Sequence, residues 1–214
     1  MKKIWENASG GQEGHCPSWT SRKGGWEAGC EGGVCTVDGA RAPFVIAGDD
    51  AFARLLRTVE QSGLPHTVHS HKATRTVEEA AANLDFDTAR IVKTIAFGLR
   101  GGAVVLAALR GTRRVAYPAL AALCGVSRRD LRALAPDEVL ASLGLPPGSV
   151  SPVPLAAGMP LFLDADVLTI SPTLYCGLGR PDRTLEIAPA DLVALCGARL
   201  GEFSKPAPEP GPCP

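Results

Sequence analysis

Lys93 stands in a run of large apolar residues, Ile91-Val-Lys93-Thr-Ile95-Ala-Phe97. Side chains alternate along a strand, so Ile91, Lys93, Ile95 and Phe97 fall on one face. Leaving an ammonium there without a partner costs several kcal/mol, so its head must reach water, a carboxylate or a ligand. Two readings follow: a lysine that snorkels at a sheet rim or guards an edge, or one whose charge meets a substrate. A second stretch bears on the choice. Gly144-Leu-Pro-Pro-Gly148-Ser149-Val150-Ser151-Pro152 holds two glycines and three prolines in nine residues. Proline lacks the donor N–H and restricts its neighbour, whereas glycine adopts angles that other residues avoid. A loop that is permissive at some positions and rigid at others can hold backbone N–H groups in fixed directions. An anion or a developing oxyanion needs such an arrangement. Taken alone, the same residues also make an ordinary connector.

Other reactive residues point less clearly. Arg110, Arg113, Arg114, Arg128, Arg129 and Arg132 crowd one region, either as solvated charge or as a grip for phosphates. His66, His69 and His71 lack the spacing of a helical metal pair and read as surface or hydrogen-bonded residues. His15, Cys16, Cys30 and Cys35 form a poor zinc set, because two would-be ligands are adjacent. No metal and no cofactor are expected. Ser149 and Ser151 have no evident base nearby, and Cys176 has no neighbouring charge to activate its thiol. Asp164 ends an apolar run, where it is either a turn-former or a site carboxylate.

The 214 residues are 45% hydrophobic, with 22 basic against 22 acidic side chains, enough for one domain with a proper core and something extra. Neutral net charge argues against a non-specific nucleic-acid coat but allows a local basic face. No apolar run approaches the roughly 18 residues of a membrane span, and no signal peptide follows the initial Met-Lys-Lys, so a cytoplasmic protein is expected. Seven cysteines, several widely scattered, do not form a secreted disulfide framework.

The punctuation predicts an α+β domain: a mixed, mostly antiparallel sheet with flanking short helices, over residues 49–204. Residues 1–48 read as a poorly ordered extension, and 205–214 as an extended, proline-rich tail. Phe52, Leu55, Leu56 and Val59 share one face of a first helix that Gly63 and Pro65 end. A short strand follows at 66–71, then a capping box at 76–79 that opens a helix over 77–84. Residues 91–97 and 103–109 read as a hairpin about Gly101-Gly102. Short helices begin at Pro118, near Ser127 and at Pro136. Strands are expected at 160–164, 167–170, 174–177 and 184–187, before a closing helix at 189–196.

From about residue 64 to 207, the chain resembles the YbaK and prolyl-tRNA synthetase editing-domain family of aminoacyl-tRNA deacylases. The likeness rests on His71, Thr76-Val-Glu-Glu-Ala80-Ala, Ile91-Val-Lys93-Thr, Gly148-Ser-Val-Ser-Pro152, Phe162-Leu-Asp164, Gly177 and Asp191-Leu192. The combination of Lys93 with the Gly-x-x-x-Pro loop, in this order and at this separation, is its specific part. The resemblance implies an α+β fold and hydrolysis of the ester that joins a wrong amino acid to tRNA. The amino acid would be cysteine or alanine, and the tRNA that for proline. It also implies catalysis by Lys93 and the loop (Gly148, Ser149, Ser151), with a substrate hydroxyl or thiol taking part. Val150, Pro152, Asp164, Gly177 and His71 would contact substrate, Asp164 by meeting the amino acid's ammonium. The implied partners are the acceptor end of tRNA and a prolyl-tRNA synthetase, with no membrane. A non-catalytic tRNA- or synthetase-binding module and a thiol redox or metal protein are the rival readings.

Overall fold

The computed structural model describes residues 19–22, 25–28, 48–73, 86–155 and 159–207. The chain divides into two units, Met1–Ala40 and Arg41–Pro214. In the first, β1 (Trp19–Arg22) and β2 (Gly25–Ala28) pair as an antiparallel hairpin. Sequence periodicity gave no sign of it, since four-residue strands are too short to show alternation. His15, Cys16, Cys30 and Cys35 lie outside the described residues, as does the helix expected over 77–84.

The second unit is an α+β sandwich. Helix α1 (Gly48–Gln61) lays Ala51, Leu55 and Val59 wholly inside the core. After it come β3 (His66–Ser70), β4 (Ile91–Leu99), β5 (Val104–Arg110) and β6 (Arg113–Val115). Helix α2 (Tyr117–Cys124), β7 (Leu131–Ala133) and helix α3 (Pro136–Leu143) follow. The chain then makes β8 (Leu161–Asp164), β9 (Leu174–Gly177), β10 (Arg183–Ile187), helix α4 (Pro189–Cys196), β11 (Arg199–Gly201) and β12 (Ser204–Pro206). The main sheet runs β11-β8-β5-β4-β9-β10-β3, with β7 paired to β4. Most pairings are antiparallel, as in the β4–β5 hairpin, but β4–β9, β5–β8 and β8–β11 are parallel.

Three local expectations change. The helix expected near Ser127 is a single 3-10 turn, Arg128–Asp130, after which Leu131 enters a strand. The strand expected at 167–170 is another such turn, Ala165–Thr169, which Asp164 caps by accepting from the Asp166 N–H at 3.2 Å. Lys205 and Pro206, placed above in the tail, pair with Arg114 and Arg113 of β6. Proline can hold that position because β12 lies in a two-stranded ribbon, where one of its edges needs no ladder bond.

Two apolar cores flank the main sheet. One contains Val92, Leu106, Leu163, Leu174 and Leu185 under α1, α3 and α4. The other contains Phe97, Leu109, Phe162, Leu120 of α2, and Phe203 just before β12.

Candidate active site

Strand alternation sorts the residues of β3, β10, β9 and β4 onto two faces. Val68, Leu185, Cys176 and Val92 are register partners in turn across the four strands, and all four lie in or against the first core. The intervening rows face the other way. Thr67, Glu186, Tyr175 and Ile91 form one row, and His69, Thr184 and Gly177 form the next. Lys93 lies two residues beyond Ile91, hence on this same face and level with Gly177.

Lys93 is half-buried, and its Nζ donates to the Gly111 carbonyl at 2.8 Å. Gly111 is itself tied to the start of β4 by its N–H, which donates to the Ile91 carbonyl at 2.6 Å. The ammonium is therefore held by rigid backbone rather than left to wander at a rim.

The glycine–proline loop meets the same place. A Cβ on Gly177 would stand 3.1 Å from the Val150 carbonyl oxygen and 3.6 Å from the carbonyl carbon and oxygen of Ser149. Only a residue without a side chain lets the loop seat this closely. The Gly179 N–H fixes it further by donating to the Ser149 carbonyl at 3.0 Å. Gly148 sits at φ 81°, in the left-handed region that favours glycine. Lys93, Gly177 and the backbone of Gly148–Ser149–Val150 are thus brought together, although they are far apart in sequence.

Other expected site residues are placed differently. Ser149 and Ser151 are each only 1% exposed. The Ser151 hydroxyl accepts from the Val153 N–H at 3.1 Å, a turn-stabilising bond, and the Ser149 hydroxyl has no partner among the described residues. Neither can present a nucleophile, so their contribution is to the shape of the loop. Pro152 is buried beneath it and Val150 is half-buried. Asp164 requires a correction. It is 2% exposed, and its carboxylate accepts from the Phe203 N–H and the Ser204 hydroxyl, both at 2.8 Å. It pins the C-terminal segment and does not face a substrate ammonium.

His71 lies just beyond β3. Its Nε2 is 2.8 Å from the Thr184 hydroxyl, and its Nδ1 is 2.8 Å from the Lys72 carbonyl. It helps line a cleft of about 480 Å³ with Pro146, Gly179, Arg180 and Asp182. Arg180 and Arg183 both bond the Asp182 carboxylate, and the Arg180 bond is the main reason it stays below the usual carboxylate range.

Of the neighbouring polar group the sequence singled out only His69, read as a surface or hydrogen-bonded residue, and not its partners Glu186, Thr173 and Arg90. His69 Nε2 is 2.7 Å from Glu186 Oε2, while Glu186 Oε1 accepts from Thr173 and from Arg90. The Thr173 hydroxyl, then His69 and Arg90, hold the Glu186 carboxyl below its ordinary value against a smaller opposing effect of burial. The Arg90 guanidinium lies 4.6 Å over the Tyr175 ring, and Phe86 stacks on Tyr175 at 4.2 Å. Thr184 and Glu186 alternate with Leu185 and Ile187 in the sequence, and that alternation was the available signal.

The arginine set is largely spent on the protein itself. Arg110 and Arg113 converge on Asp166, Arg132 binds Glu138 through both terminal nitrogens, and Arg128 stacks on Tyr117. The three thiols among the described residues are equally inert. Burial pushes Cys124 up to about 11, Cys196 up to about 12, and Cys176 higher still.

A model of the aminoacyl-tRNA editing domain matches residues 71–195, and the chain belongs to that family. The proline–tRNA ligase of Solidesulfovibrio magneticus (strain ATCC 700980 / DSM 13731 / RS-1) is 31% identical over 147 residues, 61% of this chain and 25% of the ligase. The chain thus spans about a quarter of that relative. A crystal structure of a hypothetical protein superposes with a TM-score of 0.65 at 31% identity, covering 71% of this chain and 99% of the other. A candidate trans-editing enzyme for prolyl tRNA synthetase superposes at 0.63 with 29% identity, covering 72% and 97%. Among the described residues no helix is long and apolar enough to cross a membrane.

Proposed function

We propose that this chain is a trans-acting aminoacyl-tRNA deacylase that removes a small wrong amino acid, cysteine or alanine, from the tRNA for proline. The observation that carries the reading is the convergence of Lys93, Gly177 and the 148–150 backbone on one sheet face. An aminoacyl ester is already activated. Its hydrolysis needs a held ester, a stabilised tetrahedral oxyanion and admitted water, rather than a strong protein nucleophile. Lys93 supplies a fixed positive charge for a phosphate or carbonyl oxygen at the acceptor end of the tRNA. The Ser149 N–H already donates to the Pro146 carbonyl at 3.1 Å, so the Gly148 and Val150 N–H groups are the loop donors assigned to the oxyanion, with Gly148 setting their direction. The buried serines and Cys176 take no covalent part.

The two relatives named for prolyl-tRNA synthesis and editing support proline tRNA as the carrier and prolyl-tRNA synthetase as the partner. The stacked Phe86–Tyr175 pair supports a small amino acid, because it fills the sheet face two residues from Gly177. A clash rejects a larger side chain more sharply than a pocket rejects one that lacks a methylene, which is worth only about 1–3 kcal/mol. Single-turnover hydrolysis of cysteinyl-, alanyl- and prolyl-tRNA for proline tests the reading. Release of the first two and sparing of the third is expected; equal rates on prolyl-tRNA, or none on any, overturn it. The unit Arg41–Pro214 is expected to perform the reaction without residues 1–40.

A further inference from the structure

A tRNA whose ester lies beside Lys93 must run its acceptor stem across the surface around that lysine. Part of that surface is the ribbon of β6 and β12. The chain enters it just after Gly111, whose carbonyl holds the Lys93 ammonium at 2.8 Å. Arg114 is three residues from Gly111, so their backbones lie within about 11 Å of each other.

The ribbon has an inner and an outer face, and its contacts settle which is which. Val115 is buried in the second core. Arg113, on the same side by alternation, donates to the Ser204 hydroxyl at 2.6 Å, and that hydroxyl donates in turn to Asp164 at 2.8 Å. Arg114 lies between Arg113 and Val115 and is exposed, as is Lys205, its register partner across the ribbon. The two cations therefore stand directly opposite each other on the outer face. Neither side chain has a hydrogen-bond or ion-pair partner among the described residues, Glu202 included. Their neighbours differ, since Asp166 holds Arg110 and Arg113, and Glu138 holds Arg132.

We propose that the outer face of this ribbon grips the backbone phosphates of the tRNA acceptor stem through Arg114 and Lys205. The proposal rests on the deacylase reading, from which it takes RNA as the partner. Like charges directly opposite on an antiparallel pair repel, and a phosphate between them replaces that repulsion with two attractions. Opposed side chains start about 5 Å apart at Cβ, so both heads can reach one phosphate, or two that follow each other along a strand. Arginine can take two phosphate oxygens at once, and lysine meets one as a point charge.

The ribbon is also held in place before any RNA arrives. Besides the inner-face bonds, the Ala116 N–H donates to the Phe203 carbonyl at 2.7 Å, so little backbone has to be ordered on binding. The whole chain carries no net charge and has no general attraction for a polyanion, which leaves the pull to local sets such as this one. Phosphate contacts carry no sequence information. The ribbon therefore positions the stem and leaves discrimination to the site beside Lys93.

Binding of an uncharged hairpin RNA with the acceptor-stem sequence of proline tRNA, measured across salt concentrations with thermal melts alongside, tests the proposal. Arg114→Ala and Lys205→Ala should each melt at or slightly above wild type and bind about three- to tenfold more weakly. Each should also cut the slope of log affinity against log salt by about one. Arg114→Lys and Lys205→Arg keep the charge and should keep most of the slope. Lys205→Glu sets an opposite charge across from Arg114, so it should raise the melting temperature while binding falls further, a combination that a purely structural role does not give. On mischarged tRNA these variants should raise KM more than they lower kcat. Arg57→Ala removes an exposed cation from α1 instead and should bind as wild type does. Folded Arg114→Ala and Lys205→Ala proteins with wild-type affinity and salt slope overturn the proposal, and so does an equal loss from Arg57→Ala. Wild type that binds the hairpin through the ribbon but hydrolyses no mischarged tRNA removes the deacylase reading and leaves the ribbon an RNA contact. Hydrolytic wild type that is indifferent to the ribbon removes the proposal alone.

Discussion

The two faces of β3, β10, β9 and β4 are built from the same strands, yet they do opposite things. Val68, Leu185, Cys176 and Val92 pack as one apolar row in the core, while one residue along each strand come His69, Thr184 and Gly177, with Lys93 level beside them. The core face is filled with apolar side chains, and the Thr94 hydroxyl that β4 places on it is buried with no partner among the described residues. The opposite face joins its polar groups into bonded sets: Lys93 to Gly111, His71 to Thr184, and Glu186 to three donors. A site assembled in this way inherits its rigidity from the core behind it, and a slip of one residue in register would exchange the two.

Substitutions on either face can break that contrast. The largest effect should come from the core side. Leu185→Ala removes a wholly buried side chain and should cost about 2–5 kcal/mol in chemical denaturation. Its activity per folded molecule should stay near normal. If hydrolysis vanished while the fold stood, the separation of the faces would be wrong.

Lys93→Ala should do the reverse: a melt close to wild type, and a rate down tenfold or more, equal to at least about 1.4 kcal/mol of transition-state stabilisation. A folded variant with an unchanged rate would return Lys93 to the role of a structural lysine tied to Gly111.

Gly177→Ala probes the seat of the loop. The added methyl would press on the Val150 carbonyl at 3.1 Å, and the overpacking should cost about 1–3 kcal/mol. Because the loop must move to relieve it, the rate should also drop several-fold. A stability loss with no change in rate would mean that the loop position is not catalytic.

Acid titration sharpens the polar side. The Glu186 carboxyl is held below its unfolded value, chiefly by Thr173 and then by His69 and Arg90, so its contribution is present above the unfolded value of about 4.3 and is lost as pH falls through the lower folded one. Melting temperatures of Glu186→Gln should therefore trail wild type near pH 7 and converge with it in acid. Parallel curves at all pH values would contradict the network.

The smallest effect should be that of Cys176→Ala. Its thiol lies on the core face, with its ionisation pushed far up by burial, and the rate should be nearly unchanged. A covalent aminoacyl intermediate on Cys176 would overturn the assignment of that face.

Periodicity and punctuation by themselves determined much of this protein. The apolar positions of α1, the β4–β5 hairpin about Gly101-Gly102 and the proline-led helices are local patterns, fixed by residues near one another. The odd placement of Lys93 and the stiffness of the 144–152 loop were also legible, because burial cost and backbone restriction are properties of short stretches. What only the tertiary structure decided is which distant groups meet. The parallel pairing of β4 with β9 sets Lys93 beside Gly177, and no local signal encodes that partnership. Asp164 shows the same limit from the other side. A carboxylate at a strand end looks available in sequence, but the backbone N–H of Phe203 and the hydroxyl of Ser204, some forty residues later, claim it. Hydrogen bonding over such separations depends on where the chain returns, and that is settled by packing of the whole domain rather than by any residue's own preference.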